Sequence, residues 1–257
     1  MMVQISRGSQ TLKGVAFPLS SPKHNSNTNS TSPTMADRPQ QPARPAAERK
    51  SSPLKTGYLV LYNAISTILW GTILGRVLLI AGVHGTRYVF PGVGEFAKWT
   101  QTLALLEVVH AAVGIVRAPL FTTLMQVASR ILLIWGIVTP FPNTVAFSPI
   151  YSTMLIAWSI TEVIRYSYFA INLSTGSVPA AWLWLRYNTF FVLYPLGISS
   201  ECWLVWLAAS GPAKQYTGVR EGLFAVLLIY VPGSYILFTH MMAQRRKIMR
   251  GTRAKVN

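Results

Sequence analysis

Apolar residues run along this chain in six long blocks, Gly57 to Ile80, Ala97 to Val116, Leu120 to Val138, Ile150 to Ile171, Ala180 to Ala209 and Leu223 to Met241. Each comes near or exceeds the roughly 20 residues that a helix needs to cross a bilayer. The separators carry helix breakers: Pro91-Gly92, Pro119, Pro140 and Pro142, Gly176 and Pro179, and Gly211-Pro212. Lipid offers no partner to a backbone amide, so each block must pair its own backbone as a helix. The pattern predicts an all-α integral membrane protein, a six-transmembrane-helix bundle with its active site inside the bundle. The second block is the weakest, because it holds Gln101, Glu107 and His110, and four or five spans are the alternative count. No internal repeat is visible.

Composition agrees with this reading. Of 257 residues, 51% are hydrophobic and only 12% charged, about half the charged fraction of a soluble domain. The net charge of +16 would suit a nucleic-acid binder if it formed one folded basic face. It sits instead at the two ends. Residues 1–55 hold eight Lys/Arg against Asp37 and Glu48, and residues 241–257 hold six with no acid. Basic ends flanking apolar spans mark the cytosolic side, and an even number of spans puts both termini there. No nucleic-acid partner is expected.

Three regions follow: a Ser/Pro-rich basic tail over 1–55, too polar to bury a core, a six-helix membrane domain over 56–242, and a basic cytosolic tail over 243–257. The first 34 residues lack acids, as transit peptides do, but a plain tail, or initiation at Met35, explains them as well. The Asn29-Ser-Thr31 sequon should stay unmodified in a cytosolic tail. Arg253 and Lys255 offer a weak dibasic retrieval signal.

The chemistry rests on polar residues that lipid disfavours, since a charge at mid-membrane costs roughly 2.5–3.5 kcal/mol on insertion scales. Gln126 and Arg130 lie four apart in the third block, and Glu162 and Arg165 three apart in the fourth. Arg186, Tyr194 and Glu201 lie in the fifth. Tyr194 and Glu201 are seven residues apart, close to two helical turns, so they share a face about 10 Å apart along the axis. Pro195 and Gly197 lie between them, one kinking a helix and the other admitting close approach. The alternative is structural: Arg130, Glu162, Arg165 and Glu201, two of each sign, could form buried salt bridges that fix helix register. Glu107 and His110 are three apart but lack the companions a metal site needs, so no metal is expected. The single cysteine, Cys202, has Ala208 where a tyrosine-phosphatase nucleophile motif needs an arginine six residues on. That chemistry is excluded.

Five motifs resemble one family in order. They are Trp184-Leu-Arg-Tyr-Asn-Thr-Phe-Phe-Val-Leu-Tyr-Pro-Leu-Gly-Ile-Ser-Ser-Glu201, the stretch from Leu106 through Glu107 and His110 to Pro119, Gln126-Val-Ala-Ser-Arg130 with Trp135-Gly136, Trp158-Ser-Ile-Thr-Glu-Val-Ile-Arg-Tyr166, and Tyr230-Val-Pro-Gly-Ser234. Over residues 57–250 the chain resembles the very-long-chain (3R)-3-hydroxyacyl-CoA dehydratases, the protein-tyrosine-phosphatase-like A group. The last motif is most similar to the plant PASTICCINO2 form. The resemblance implies conversion of (3R)-3-hydroxyacyl-CoA to trans-2-enoyl-CoA, the third step of very-long-chain fatty-acid elongation, in the endoplasmic reticulum membrane.

It implies catalysis by Tyr194 and Glu201, with Gln126, Arg130, Glu162, Arg165, Arg186, Gly197 and Ser199 binding substrate or orienting the site. The implied partners are a long-chain 3-hydroxyacyl-CoA, membrane lipid, and the ketoacyl-CoA synthase, ketoacyl-CoA reductase and enoyl-CoA reductase of the same cycle. No cofactor is implied. Arg186, nearest the cytosolic mouth, is the candidate for contact with the CoA phosphates, with Arg117 a weaker one. Two other readings compete: an inert paralogue that scaffolds elongation enzymes, and a small transporter, since intramembrane charges also mark transport paths.

Overall fold

The computed structural model describes residues 52–256, with side chains described as far as Met249. Most of the 1–55 tail, with the Asn29 sequon and Met35, lies outside the described residues, as do the side chains of Arg253 and Lys255. Within the described residues the chain is helical throughout, without a strand.

Helix α1 (Pro53–Val83) opens with a proline in its first turn, where the missing amide costs nothing. Its polar residues are satisfied within the helix: Asn63 donates to the Leu59 carbonyl, Ser66 to Tyr62 and Thr67 to Asn63. Gly85, at φ +95°, makes the turn that follows. The second apolar block is interrupted: α2 (Val89–Thr102) and α3 (Leu105–Ala112) meet at a tightened turn. There the Ala104 amide bonds the Gln101 carbonyl at 3.0 Å and the Glu107 amide bonds Ala104 at 3.0 Å.

Helix α4 (Leu120–Ile131) runs on into a π-helical stretch, Leu132–Val138. A second π-helical turn, Pro142–Ala146, leads to α5 (Pro149–Thr175). Helix α5 is capped by the Ser148 hydroxyl, which accepts from the Ile150 amide, and closed by Gly176 at φ +72°. Helices α6 (Ala180–Asn188) and α7 (Phe190–Ser210) bend about Thr189. Helix α8 (Val219–Val256) has Pro232 in its interior and continues to the end of the described residues.

Among the described residues, four segments are both long and apolar enough to cross a bilayer: Pro53–Val83, Leu120–Val138, Phe190–Gln215 and Val219–Met249. The six blocks expected from the pattern do not all meet that standard. With 14 and 8 residues, α2 and α3 each fall short of the roughly 30 Å hydrocarbon core at 1.5 Å per residue. Helix α5 has 27 residues but is studded with Ser, Thr, Tyr, Glu162 and Arg165. Its position explains how it carries them: α1 and α7 pack along it, and Tyr151, Met154, Leu155, Trp158, Glu162 and Tyr166 are all buried.

The apolar core gathers Trp70, Ile73 and Val77 of α1, Val89 and Val93 of α2, Leu133 and Ile137 beyond α4, and Leu204, Ala208 and Ala209 of α7 around that helix. The small Ala208 and Ala209 let backbones approach closely. The outer surface is the reverse of a soluble protein's. Leu61, Ile68, Leu79, Val192, Leu228, Val231 and Ile236 are all exposed, as helices facing lipid require.

Candidate active site

The bundle interior holds three buried carboxylates, Glu107, Glu162 and Glu201, in two kinds of environment. Glu162 and Glu107 belong to a charge network. Glu162 Oε1 accepts from Arg130 of α4 and Oε2 from Arg165 Nε at 2.5 Å. Arg165 then turns both terminal nitrogens on Glu107 of α3, at 2.9 and 2.7 Å. Tyr166 donates a third bond to Glu107, and the Arg165 guanidinium lies 4.1 Å from the Tyr166 ring. Two arginines and two glutamates are thus locked across three helices, with each charge opposed. Such a network fixes helix register, because removing one member leaves another charge stranded.

Glu201 is held differently. It is 7% exposed, and its donors are neutral: Trp158 Nε1 of α5 on Oε1 at 2.8 Å, and the Tyr230 hydroxyl of α8 on Oε2 at 3.1 Å. Arg130 is near enough for its charge to act on Glu201, but its ion pair is with Glu162. Its guanidinium lies over the Trp158 ring at 5.1 Å. Of the three buried carboxylates, Glu201 is the one that no arginine grips. It is the one able to exchange a proton without dismantling an ion pair.

Tyr194 lies on the same face of α7, half-buried, and donates to the Ser234 carbonyl at 2.9 Å. Its ring tilts against Phe238 at 5.9 Å. Helices α7 and α8 run antiparallel here, since Tyr194 meets Ser234 and Glu201 meets Tyr230. Gly197 is buried between Tyr194 and Glu201, yet a Cβ built on it would meet nothing within 4 Å. Open space therefore lies beside Gly197, on the stretch of α7 between Tyr194 and Glu201.

The remaining expected residues fall in three places. Arg130, Glu162 and Arg165 meet as described, and half-buried Gln126 is one turn before Arg130 on α4. Arg186 is 7% exposed and enclosed, its guanidinium 4.3 Å from the Tyr168 ring and 4.7 Å from Phe169. Aromatic side chains of α5 thus cover it. Ser199 is exposed, its hydroxyl bonded to the Leu196 carbonyl of its own helix at 3.1 Å; it faces away from the Tyr194–Glu201 side.

Three residues that the structure brings to this cluster were not singled out by sequence reasoning as site residues: Glu107, Trp158 and Tyr230. All three lie in the motifs quoted above, and Glu107 also stood out as a charge inside the second apolar block. Glu107 and His110, weighed as a pair of metal ligands, diverge to separate partners. Glu107 meets Arg165, while His110 Nε2 is 2.7 Å from the Tyr58 hydroxyl and its ring meets Tyr58 and Tyr62 edge-on.

An all-helical, lipid-facing bundle with a buried carboxyl and a half-buried phenol on one face of α7 defines a membrane protein with an internal polar site. Comparison with known proteins identifies its kind. Residues 101–251 match the family described as protein tyrosine phosphatase-like protein, PTPLA. The chain is 48% identical to the probable very-long-chain (3R)-3-hydroxyacyl-CoA dehydratase of Schizosaccharomyces pombe, over 79% of this chain and 97% of that one. It is 39% identical to the dehydratase PASTICCINO 2A of Oryza sativa subsp. japonica, over 77% and 95%. With very-long-chain (3R)-3-hydroxyacyl-CoA dehydratase 2 of Homo sapiens it shares 37% identity, over 78% and 84%. No solved structure matches the chain significantly. The chain belongs to the PTPLA family. The family's phosphatase-like description does not extend to phosphatase chemistry here, because the lone Cys202 is followed six residues later by Ala208.

Proposed function

We propose that this protein dehydrates long-chain (3R)-3-hydroxyacyl-CoA to trans-2-enoyl-CoA, using Tyr194 and Glu201 together as acid and base. The observation that carries the reading is the pairing of Glu201, the buried carboxyl outside the arginine network, with Tyr194 across the space at Gly197. The activity for which the relatives are named supports it. The reaction takes the proton from the α-carbon; that electron pair forms the new double bond, and the β-hydroxyl leaves as water once protonated. One group must accept a proton while another donates one. A carboxyl and a phenol on one helix face can do both, since each exchanges protons through oxygen. The balance needs no oxidant, reductant or metal.

In this reading Tyr194 gives up its bond to the Ser234 carbonyl when substrate arrives, and the acyl carbons enter beside Gly197. Arg130, Glu162, Arg165 and Gln126 hold the surrounding helices in register and orient the reacting pair. The CoA head stays at the end of the bundle that α6 occupies. Arg186 lies under its aromatic cover there, and Arg245 of α8 reaches Asn188 Oδ1 at 3.0 Å.

Helix α5 and the α2–α3 pair complete six crossings in this reading, with both termini on the cytosolic side of the endoplasmic reticulum. Enzymes that make the hydroxyacyl-CoA and consume the enoyl-CoA are the expected neighbours. The test is turnover of a long-chain (3R)-3-hydroxyacyl-CoA by detergent-purified protein, beside Tyr194→Phe and Glu201→Ala. Wild-type turnover with two folded, inactive variants supports the reaction and the site. A folded wild type that binds substrate and turns over no chain length overturns the reading in favour of an inert scaffold.

A further inference from the structure

Helix α8 is the most lipid-exposed of the long helices: Leu228, Ile229, Val231, Tyr235 and Ile236 all face outward. Its side chain to the reaction centre is Tyr230, which faces inward and donates to Glu201 Oε2 at 3.1 Å. Two residues on, Pro232 interrupts the helix by removing an amide that the Leu228 carbonyl would otherwise use. Tyr230 and Ser234, four apart on either side of this interruption, share a face. Through them α8 meets both Glu201 and Tyr194. The other Glu201 oxygen is taken by Trp158 of the central helix.

We propose that Tyr230 is a positioning residue for Glu201. This rests on the function proposed above. A carboxyl with one oxygen held by Trp158 of the central helix can still pivot about that hydrogen bond by rotation of its other side-chain torsions. The second donor, from α8, stops that rotation and sets which lone pair faces the space at Gly197. Tyr230 acts through Glu201 and is not itself an acid or base in the reaction.

The experiment compares Tyr230→Phe with wild type and with Tyr235→Phe, whose ring faces lipid. Two readouts are taken on the full chain in detergent: steady-state kinetics, and the infrared carboxyl band assigned to Glu201 by its loss in Glu201→Gln. Tyr230→Phe is expected to lower kcat about tenfold to a hundredfold, the size of one hydrogen bond to a charged group. KM should stay within about twofold, as for an interaction felt in the transition state. The Glu201 band should move in Tyr230→Phe and stay in place in Tyr235→Phe. An unmoved band overturns the proposal, whether or not kcat falls, because any loss would then come from packing. A moved band with unchanged kcat also overturns it. If Tyr230→Phe does not fold, a fluorinated tyrosine at position 230 keeps the shape, changes donor strength and must move the same band. A wild type without turnover defeats the proposed reaction, while the band still reports whether Tyr230 holds Glu201.

Discussion

Arg165 and Glu107, 58 residues apart in the chain, meet in a bidentate pair with nitrogen–oxygen distances of 2.9 and 2.7 Å. The pair ties the short α3 to the central α5, and it continues through Glu162 to Arg130 of α4. Breaking a buried pair by removing one partner costs about 3–5 kcal/mol. Glu107→Gln should therefore lower the unfolding midpoint of the detergent-solubilised protein sharply. Glu107→Asp, which keeps the charge, should lose less. Unfolding followed by far-UV circular dichroism in a denaturing detergent distinguishes them; equal midpoints for wild type and Glu107→Gln would contradict a structural role for the pair.

Trp158 supplies the other hydrogen bond to Glu201 and also the ring beneath Arg130. Trp158→Phe keeps an aromatic face and removes the indole N–H. Turnover should fall about tenfold or more, the size of one hydrogen bond to a charged group, with KM little changed. Steady-state kinetics on one chain length suffices; a KM effect with intact kcat would place Trp158 in substrate binding instead.

Gly197 separates stability from activity. Its Cβ position is open, and Gly to Ala in a helix interior stabilises by roughly 1 kcal/mol. Gly197→Ala should fold at least as well as wild type, while Gly197→Leu should fill the space between Tyr194 and Glu201 and abolish turnover. Thermal stability and dehydration measured side by side test this. Full activity in Gly197→Leu would move the substrate away from that face of α7.

Arg186 is held by the rings of Tyr168 and Phe169. If it meets the CoA phosphates, Arg186→Ala should raise KM far more than it lowers kcat. Tyr168→Leu should do the same more weakly by loosening the guanidinium. Kinetics with acyl-CoA and with an acyl-pantetheine lacking the nucleotide separates the cases: the variants should differ from wild type on the first substrate and not on the second.

The proposed six-span topology makes an accessibility prediction. Ser177 and Lys214 are both exposed, in the turns after α5 and α7. In a Cys202→Ser background, Ser177→Cys should react with an impermeant maleimide from the cytosolic side of sealed microsomes, and Lys214→Cys only after permeabilisation. Labelling of both from one side would remove a crossing between them.

Much of this protein was legible along the chain. Long apolar blocks between prolines and glycines specify helices in lipid, because an unpaired backbone has no other solution there. Helical periodicity alone placed Tyr194 and Glu201 on one face of α7, with Gly197 between them. The same periodicity does not say which face of which other helix a residue meets. It left the four charges Arg130, Glu162, Arg165 and Glu201 as one candidate set. The tertiary structure keeps Arg130, Glu162 and Arg165 together, adds Glu107 to them and leaves Glu201 to Trp158 and Tyr230. It also decided that the second apolar block breaks into α2 and α3, turning Glu107 inward, and that α5 can be polar because neighbouring helices cover it. Local pattern determines what a segment becomes, since backbone pairing is a local requirement. Which carboxylate is locked by arginines and which is held by neutral donors depends on contacts between residues tens of positions apart, and packing decides those.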